Sequence, residues 1–354
     1  MRIGFVSGDY LPAQNASDGV HHWGGSGWAR LGQYTSYLNH EVVTGVLVWK
    51  EDRFYIRDQY EELQSVDIII MQRLMHGSLA EHIGKARSIG QVIVNDLDDW
   101  YWGLDPANDA FKSSHPNTNP NENRDHYKKV LASSDIVTVS TQYLADRIKS
   151  FVHCPIIVLE NTVDIARFTT HVHTDSSVPV VGWVGATSHR SSDLEIMKGI
   201  INPLLANNEI KFQHSGRYPT SPSVASKLGL HDDQVITLDA VDAESYPSLL
   251  TMDVGIAPLR DTPFNHAKSD IKLLEYSASG IPWVGSALSS YEGLRKSWGI
   301  GRTASKPSQW LKHLRDLRDP VRRADEGEAL REAVRSRDIS LGAHRLNSFI
   351  DSLV

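Results

Sequence analysis

Residues 261–285 read DTPFNHAKSDIKLLEYSASGIPWVG, which parses as a loop, a short capped helix, a stop and a buried strand. Ser269 or Asp270 can cap the helix, and Asp270 also complements the positive end of its dipole. Gly280 with Pro282 just beyond is a stop signal, and Ile-Pro-Trp-Val-Gly has the apolar run of a strand inside a sheet. Helical spacing puts Lys268, Lys272 and Glu275 at i, i+4 and i+7, along one face at the helix entrance. Ile271, Leu274 and Ala278 take the opposite face, toward a core. Two ammonium groups beside a helix N-terminus make a cradle for a diphosphate, because the terminal N–H groups already favour anions. A carboxylate one or two turns deeper can accept both hydroxyls of a ribose. The same three residues also fit an ordinary solvated face, with an ion pair worth only a few tenths of a kcal/mol.

At 354 residues the chain exceeds one ordinary core, so two domains are expected. Apolar residues make up 40 %, and there is no low-complexity tract, as in globular proteins. The net charge of −7 gives no general attraction to nucleic acid or anionic lipid. A single cysteine, Cys154, excludes an internal disulfide; between His153 and Pro155 it has no metal-ligand spacing and reads as an inert thiol at a strand start. The opening MRIGFVSGDY enters a strand directly, without the basic-then-apolar pattern of a signal peptide. No apolar run approaches a membrane span, so the expected location is cytoplasmic.

Strand and helix patterns alternate along both halves. RIGFVSG, VVTGVLVW, VDIIIMQ, QVIVNDL, DIVTVS and PIIVLEN read as buried parallel strands, with helices at Ser26–Leu38, Leu79–Ser88, Tyr127–Ala132 and Thr141–Ser150. PVVGWVG, EIKFQHSG, VITLDA, VGIAPL and IPWVG supply a second set. Two sequential Rossmann-like α/β halves follow, each a doubly wound sheet. The polar stretch TTHVHTDSSV reads as an exposed linker, and its His171 and His173 as solvent-facing residues rather than a metal pair.

Residues 253–293, DVGIAPLRDTPFNHAKSDIKLLEYSASGIPWVGSALSSYEG, resemble the donor-site signature of retaining GT-B glycosyltransferases of the glycogen-synthase-like (glycosyltransferase family 4-like) kind. VPVVGWVGATSHRSSDLEIM resembles that family's first C-terminal-domain strand and glycine loop. VITLDAVDAESYPSLLTMDVGIAPL resembles its base-binding loop and the elements after it, and PIIVLENTVDIARF the segment leading into its hinge. Together they cover most of residues 135–293 in the family's order. The resemblance implies the GT-B architecture: two Rossmann-like domains facing a cleft, with a C-terminal helix crossing back to the N-terminal domain. The corresponding divisions are an N-terminal acceptor domain over 1–168, a linker over 169–178, a nucleotide-sugar domain over 179–327 and a returning helical segment over 328–354. It further implies that Glu275 holds the ribose of a nucleotide sugar.

Three further clusters belong to this reading. Gly24-Gly25-Ser26-Gly27-Trp28-Ala29-Arg30 follows the first strand and opens a helix, and resembles the family's glycine turn facing the donor phosphates and the acceptor. Gly25 and Arg30 are its candidate contacts, although a tight turn alone also calls for glycine. Asp96-Leu97-Asp98 has the DxD form of metal-dependent transferases of another fold; here it reads as a chance match. Many GT-B relatives carry a His at this strand end; this chain offers carboxylates, and Asp96 or Asp98 can hold donor or acceptor hydroxyls or cap the next turn. The adjoining Trp100-Tyr101-Trp102 is either a platform for a sugar ring or an anchor for the loop.

In the third cluster, Gly185-Ala186-Thr187-Ser188-His189-Arg190, Gly185, Thr187 and Arg190 are the candidate donor contacts. The family's basic pair after this loop is not reproduced, so Lys268 and Lys272 are expected to neutralise the diphosphate. The family's paired glutamates would place one at position 267, where this chain has Ala267. The expected activity is retaining transfer of a sugar from a nucleotide-diphosphate donor to an acceptor hydroxyl of glycan, protein or modified nucleic acid, with no metal or other cofactor. Lys268, Lys272 and Asp98 form its catalytic centre; Ser269, Lys272 and Glu275 are donor contacts. The alternatives are a catalytically silent sugar-nucleotide-binding protein and a GT-B epimerase.

Overall fold

A computed structural model describes residues 1–12, 21–45, 47–50, 53–56, 61–62, 65–75, 77–88, 90–106, 111, 123–187 and 191–353. Two six-stranded, all-parallel sheets form its frame. The first comprises β1 (Arg2–Ser7), β2 (Glu41–Gly45), β3 (Ile68–Gln72), β4 (Val92–Leu97), β5 (Ile136–Val139) and β6 (Ile156–Val158), in the order β6-β5-β4-β3-β1-β2. The second comprises β7 (Val180–Val184), β8 (Lys211–Arg217), β9 (Val235–Asp239), β10 (Val254–Ala257), β11 (Trp283–Ser286) and β12 (Arg302–Ala304), in the order β9-β8-β7-β10-β11-β12. Both are doubly wound, so each has a crevice beyond the carboxyl ends of its strands where the order reverses. The central strands are apolar on both faces: Ile68, Ile69, Val254 and Ile256 are fully buried, as sheets covered on both sides require.

Several elements depart from the sequence expectation. VVTGVLVW is not one strand: β2 ends at Gly45, and Leu47–Lys50 pairs antiparallel with Arg53–Ile56 in a separate small sheet. The helix expected over Ser26–Leu38 is a six-residue helix α1 (Gly25–Arg30), broken at Leu31 and followed by a 3₁₀ turn. The edge strand β12 was not anticipated; three residues, Arg-Thr-Ala, carry too little pattern to announce it.

The decisive stretch forms two helices, α2 (Pro263–Ala267), capped by the Thr262 hydroxyl on the Asn265 N–H, and α3 (Ile271–Ala278). Helix α3 ends in a Schellman arrangement: Gly280 N–H reaches Ser277 O, Ile281 N–H reaches Tyr276 O, and Gly280 has φ +69°. Tyr276 presses on β10 so closely that a Cβ at Gly255 would meet its ring at 2.7 Å.

The C-terminal segment is two helices rather than one. Helix α4 (Pro320–Ala333) stays with the second sheet, its Leu330 in the cluster of Leu273, Leu274 and Trp283. Helix α5 (Ile339–Asp351) returns to the first sheet, where Ala343, Leu346 and Ile350 pack on Ile3, Phe5, Ile70 and Val94. At the crossing Val163 and Asp338 form a parallel bridge.

Candidate donor site between the two sheets

The crevices of the two sheets face each other. From the first come Asp98 and Asp99, just beyond β4; from the second come the loop after β7 and the start of α3. The halves meet directly: Lys268 Nζ lies 3.4 Å from Asp99 Oδ1, and Arg260 donates to Asp105 at 3.1 Å. Phe264 and Ala267 of α2 sit in the same apolar cluster as Tyr101, Leu104 and Tyr127 of the first half.

Lys268 is not on the helical face expected of it. It is the residue after α2, with extended backbone (φ −62°, ψ 143°), its ammonium 4.3 Å from the centre of the Phe264 ring. Asp270 stands at the N-cap of α3, but its carboxylate does not cap the helix; it accepts two bonds from the Arg337 guanidinium at 3.0 and 3.1 Å. Burial pushes the Asp270 carboxyl up, and Arg337 opposes that shift. Ser269 makes no cap either; its hydroxyl accepts from Asn161 Nδ2 at 2.7 Å, tying the α2–α3 loop to the first half.

Lys272 does lie in the first turn of α3. It is buried, and its Nζ donates to Val184 O, the last carbonyl of β7, at 2.5 Å. The adjoining Gly185 has φ +149°, its N–H bonds Ser215 O, and its carbonyl is 3.0 Å from His214 Nε2. A cation is thus set beneath a backbone turn open only to glycine. Glu275, one turn further, is half-buried and accepts from the Tyr246 hydroxyl at 2.7 Å. Sequence reasoning missed Tyr246, whose place in the YPSL turn gives no spacing signal to Glu275.

Two expected contacts are engaged within the chain. The buried Arg30 guanidinium grips Asp96 through two bonds (2.7 and 2.9 Å), with Leu159 O and Asn161 Oδ1 at 2.6 Å. Thr187 is buried with its hydroxyl spent on Pro222 O at 2.8 Å. Ser188, His189 and Arg190 lie outside the described residues. Gly25 has nothing within 4 Å of where a Cβ would stand. However, the α1 entrance already holds an anion, since Asp9 Oδ2 accepts from Gly27 N–H at 2.9 Å.

Arg30 and Thr138 occupy both oxygens of Asp96, so the Asp-Leu-Asp triplet does not present two available carboxylates. Asp98 differs. It is buried, and its Oδ1 has no hydrogen-bond partner among the described residues. Burial, followed by the charge of Asp99, pushes its carboxyl up to about 6, against the pull of Arg73 and a hydrogen bond from Ser26. The Trp-Tyr-Trp run serves as an anchor: Trp102 stacks on Tyr127 (5.4 Å, 7° between planes), and Tyr101 is buried.

No family model matches the chain. A Bacillus subtilis protein, TuaH, named for a glycosyltransferase of teichuronic acid biosynthesis, is 24 % identical over 181 residues. That match covers 48 % of this chain and 45 % of TuaH, so the chain spans less than half of that relative's length. Among solved structures, sucrose-phosphate synthase from Thermosynechococcus elongatus superposes with a TM-score of 0.70 at 14 % identity, over 99 % of this chain and 98 % of that one. HepE from Anabaena, in complex with UDP and glucose, superposes with a TM-score of 0.68 at 13 % identity, over 99 % and 100 %. Two doubly wound sheets with facing crevices, a returning C-terminal helix and end-to-end superposition on these enzymes give one conclusion: the chain has the GT-B fold.

Proposed function

We propose that the protein is a retaining glycosyltransferase that takes a sugar from a nucleotide-diphosphate donor and passes it to an acceptor hydroxyl. The observation that carries this reading is the placement of the Lys272 ammonium, in the first turn of α3 and against the last carbonyl of β7, with Glu275 one turn on. The donor diphosphate lies over the Val184–Gly185 turn, and Glu275 accepts from the ribose hydroxyls. HepE, which shares the fold, was solved with UDP and glucose and with UDP-glucose, and this supports the reading of a nucleotide-sugar donor.

In this account the bond from the anomeric carbon to the diphosphate breaks as the acceptor oxygen attacks on the same face, and the departing phosphate oxygen takes the acceptor proton. No protein nucleophile is assigned. Lys272, and Lys268 once it exchanges Asp99 for phosphate, stabilise the charge that builds on the leaving group. Asp98 accepts from a hydroxyl of sugar or acceptor. Contact between the two halves excludes water from the donor. Metal ions have no assigned part.

One observation favours a second reading, a protein that binds sugar nucleotides without turnover. The position where the family's first glutamate would stand is Ala267, fully buried in the cluster with Tyr101 and Leu104. A carboxylate there would be buried without a partner, so this chain has given up that contact with the sugar. Incubation with uridine-, guanosine- and adenosine-diphosphate sugars and simple glycoside acceptors, followed by NMR of the anomeric proton, separates the readings. Transfer with retained configuration supports the proposal; inverted configuration refutes retention, and tight binding without release of nucleoside diphosphate supports the silent binder.

A further inference from the structure

Residues 169–178 contain no helix or strand and most of them are exposed, but His171 and His173 are not the solvent-facing residues expected. His171 and His173 are turned inward, rings 4.8 Å apart and nearly perpendicular, against the carboxylate of Asp253 just before β10. His171 Nε2 is 3.3 Å from Asp253 Oδ1, and the His171 N–H bonds Ser279 O at 2.8 Å. The three side chains can each present a ligand atom within 4.8 Å of the others.

His173 is the telling member. Its Nε2 lies 2.9 Å from the carbonyl oxygen of Gly280, which only accepts, so Nε2 carries the proton. Nδ1 of the neutral ring then holds a lone pair, and this atom is buried without a hydrogen-bond partner. A buried acceptor left this way calls for an occupant. An imidazole whose outer N–H is fixed on a backbone carbonyl, with its other nitrogen bare, is also how metal-bound histidines are oriented.

We propose that His171, His173 and Asp253 form a binding site for one divalent transition-metal ion of the zinc class, with water as the fourth ligand. Two neutral imidazoles and one carboxylate suit zinc. Bonds of about 2.0–2.2 Å at tetrahedral angles hold ligand atoms roughly 3.3–3.6 Å apart, so the His171–Asp253 pair already has the spacing and the widest pair closes by about 1 Å on loading. The surroundings are tightly built: a Cβ at Gly327 of α4 would meet His173 Nε2 at 2.8 Å. Arg323, the nearby cation, is committed to the carbonyls of Leu317, Arg318, Thr174 and Ser176 and moderates the affinity. The ion pins the inter-sheet segment to the root of β10 and the C-terminal end of α3. Lys272 lies at the other end of that helix, about 10 Å away at 1.5 Å per residue, so the ion serves the hinge and not the transfer.

The test uses the full-length chain without an affinity tag, stripped with a chelator, desalted, and titrated with zinc chloride by calorimetry. The expected result is one equivalent bound at a dissociation constant below about 10 µM, with a raised melting temperature and tetrahedral visible bands on cobalt substitution. His171→Ala and His173→Ala each weaken uptake at least about 100-fold, with circular dichroism confirming that both remain folded. Absence of zinc uptake by the parent at 100 µM overturns the site without recourse to any variant, as does stoichiometric uptake retained when both imidazoles are removed. Neither outcome bears on the donor site, which is read separately by nucleotide binding.

Discussion

The Lys272 ammonium and the Val184 carbonyl oxygen are 2.5 Å apart, so the first turn of α3 and the last residue of β7 form one unit. Few positions in a doubly wound sheet serve an anion better: the helix entrance, the strand end and a buried cation converge.

From this follows the first prediction. Lys272→Met keeps the apolar stem and deletes the charge. A cation acting on the leaving group lowers transfer more than ground-state binding, with a loss on the order of 10²–10³ in kcat, by analogy with oxyanion donors. Steady-state kinetics with a good acceptor measures this, with a melting curve to confirm that the Val184 carbonyl tolerates the loss. Wild-type turnover with only a raised donor KM would move the catalytic role to Lys268.

Asp98 links the site to stability. Its carboxyl rises from an ordinary value of 3.8 to about 6 in the folded protein. Between those values the native state binds more protons than the unfolded chain, so the Asp98 contribution is fully present below about pH 4 and lost as pH rises through about 6. Asp98→Asn removes a penalty of about 1–3 kcal/mol near neutral pH, at roughly 1.4 kcal/mol per pH unit. Denaturant melts are expected to show the variant more stable than the parent at pH 7.5, converging near pH 4, while transfer falls. Equal stability at both pH values would show that the buried carboxylate carries no strain.

Arg30 has the opposite character. Arg30→Met strips the buried Asp96 of its partner and should cost about 3–5 kcal/mol, far more than an exposed pair. Urea unfolding measures the loss. A cost under about 1 kcal/mol, at the level of surface pairs, would return Arg30 to the candidate site.

Turnover should survive a chelator, because the assigned charge stabilisation comes from lysines. Activity abolished by EDTA and restored by manganese or magnesium would instead give Asp98 a ligand role. Zinc at the His171–His173–Asp253 cluster would change melting behaviour without restoring lost turnover.

The sequence revealed the frame because its signals are local. Apolar runs marked the central strands of both sheets, and Gly280 with Pro282 marked the end of α3, where the left-handed glycine closes the Schellman turn. Long-range partners left no such trace. Arg30 has the spacing of a phosphate contact, but its fate is decided by Asp96, 66 positions away. Asp270 looks like a side-chain helix cap, but its carboxylate is claimed by Arg337, 67 positions away. His171 and His173 sit in a polar stretch, and only the fold brings Asp253 to them. Tyr246 meets Glu275 through the packing of a 3₁₀ turn on α3, which periodicity does not encode.

The most direct test of the central claim is calorimetric titration of the parent and Glu275→Ala with uridine, guanosine and adenosine diphosphates and their glucose conjugates. At least one nucleotide is expected to bind the parent. Glu275→Ala, losing a charge-assisted hydrogen bond worth about 1.5–3 kcal/mol, is expected to bind it roughly 10- to 150-fold more weakly. A parent that binds none of them, or a variant that binds as tightly as the parent, would contradict a donor site at the entrance of α3.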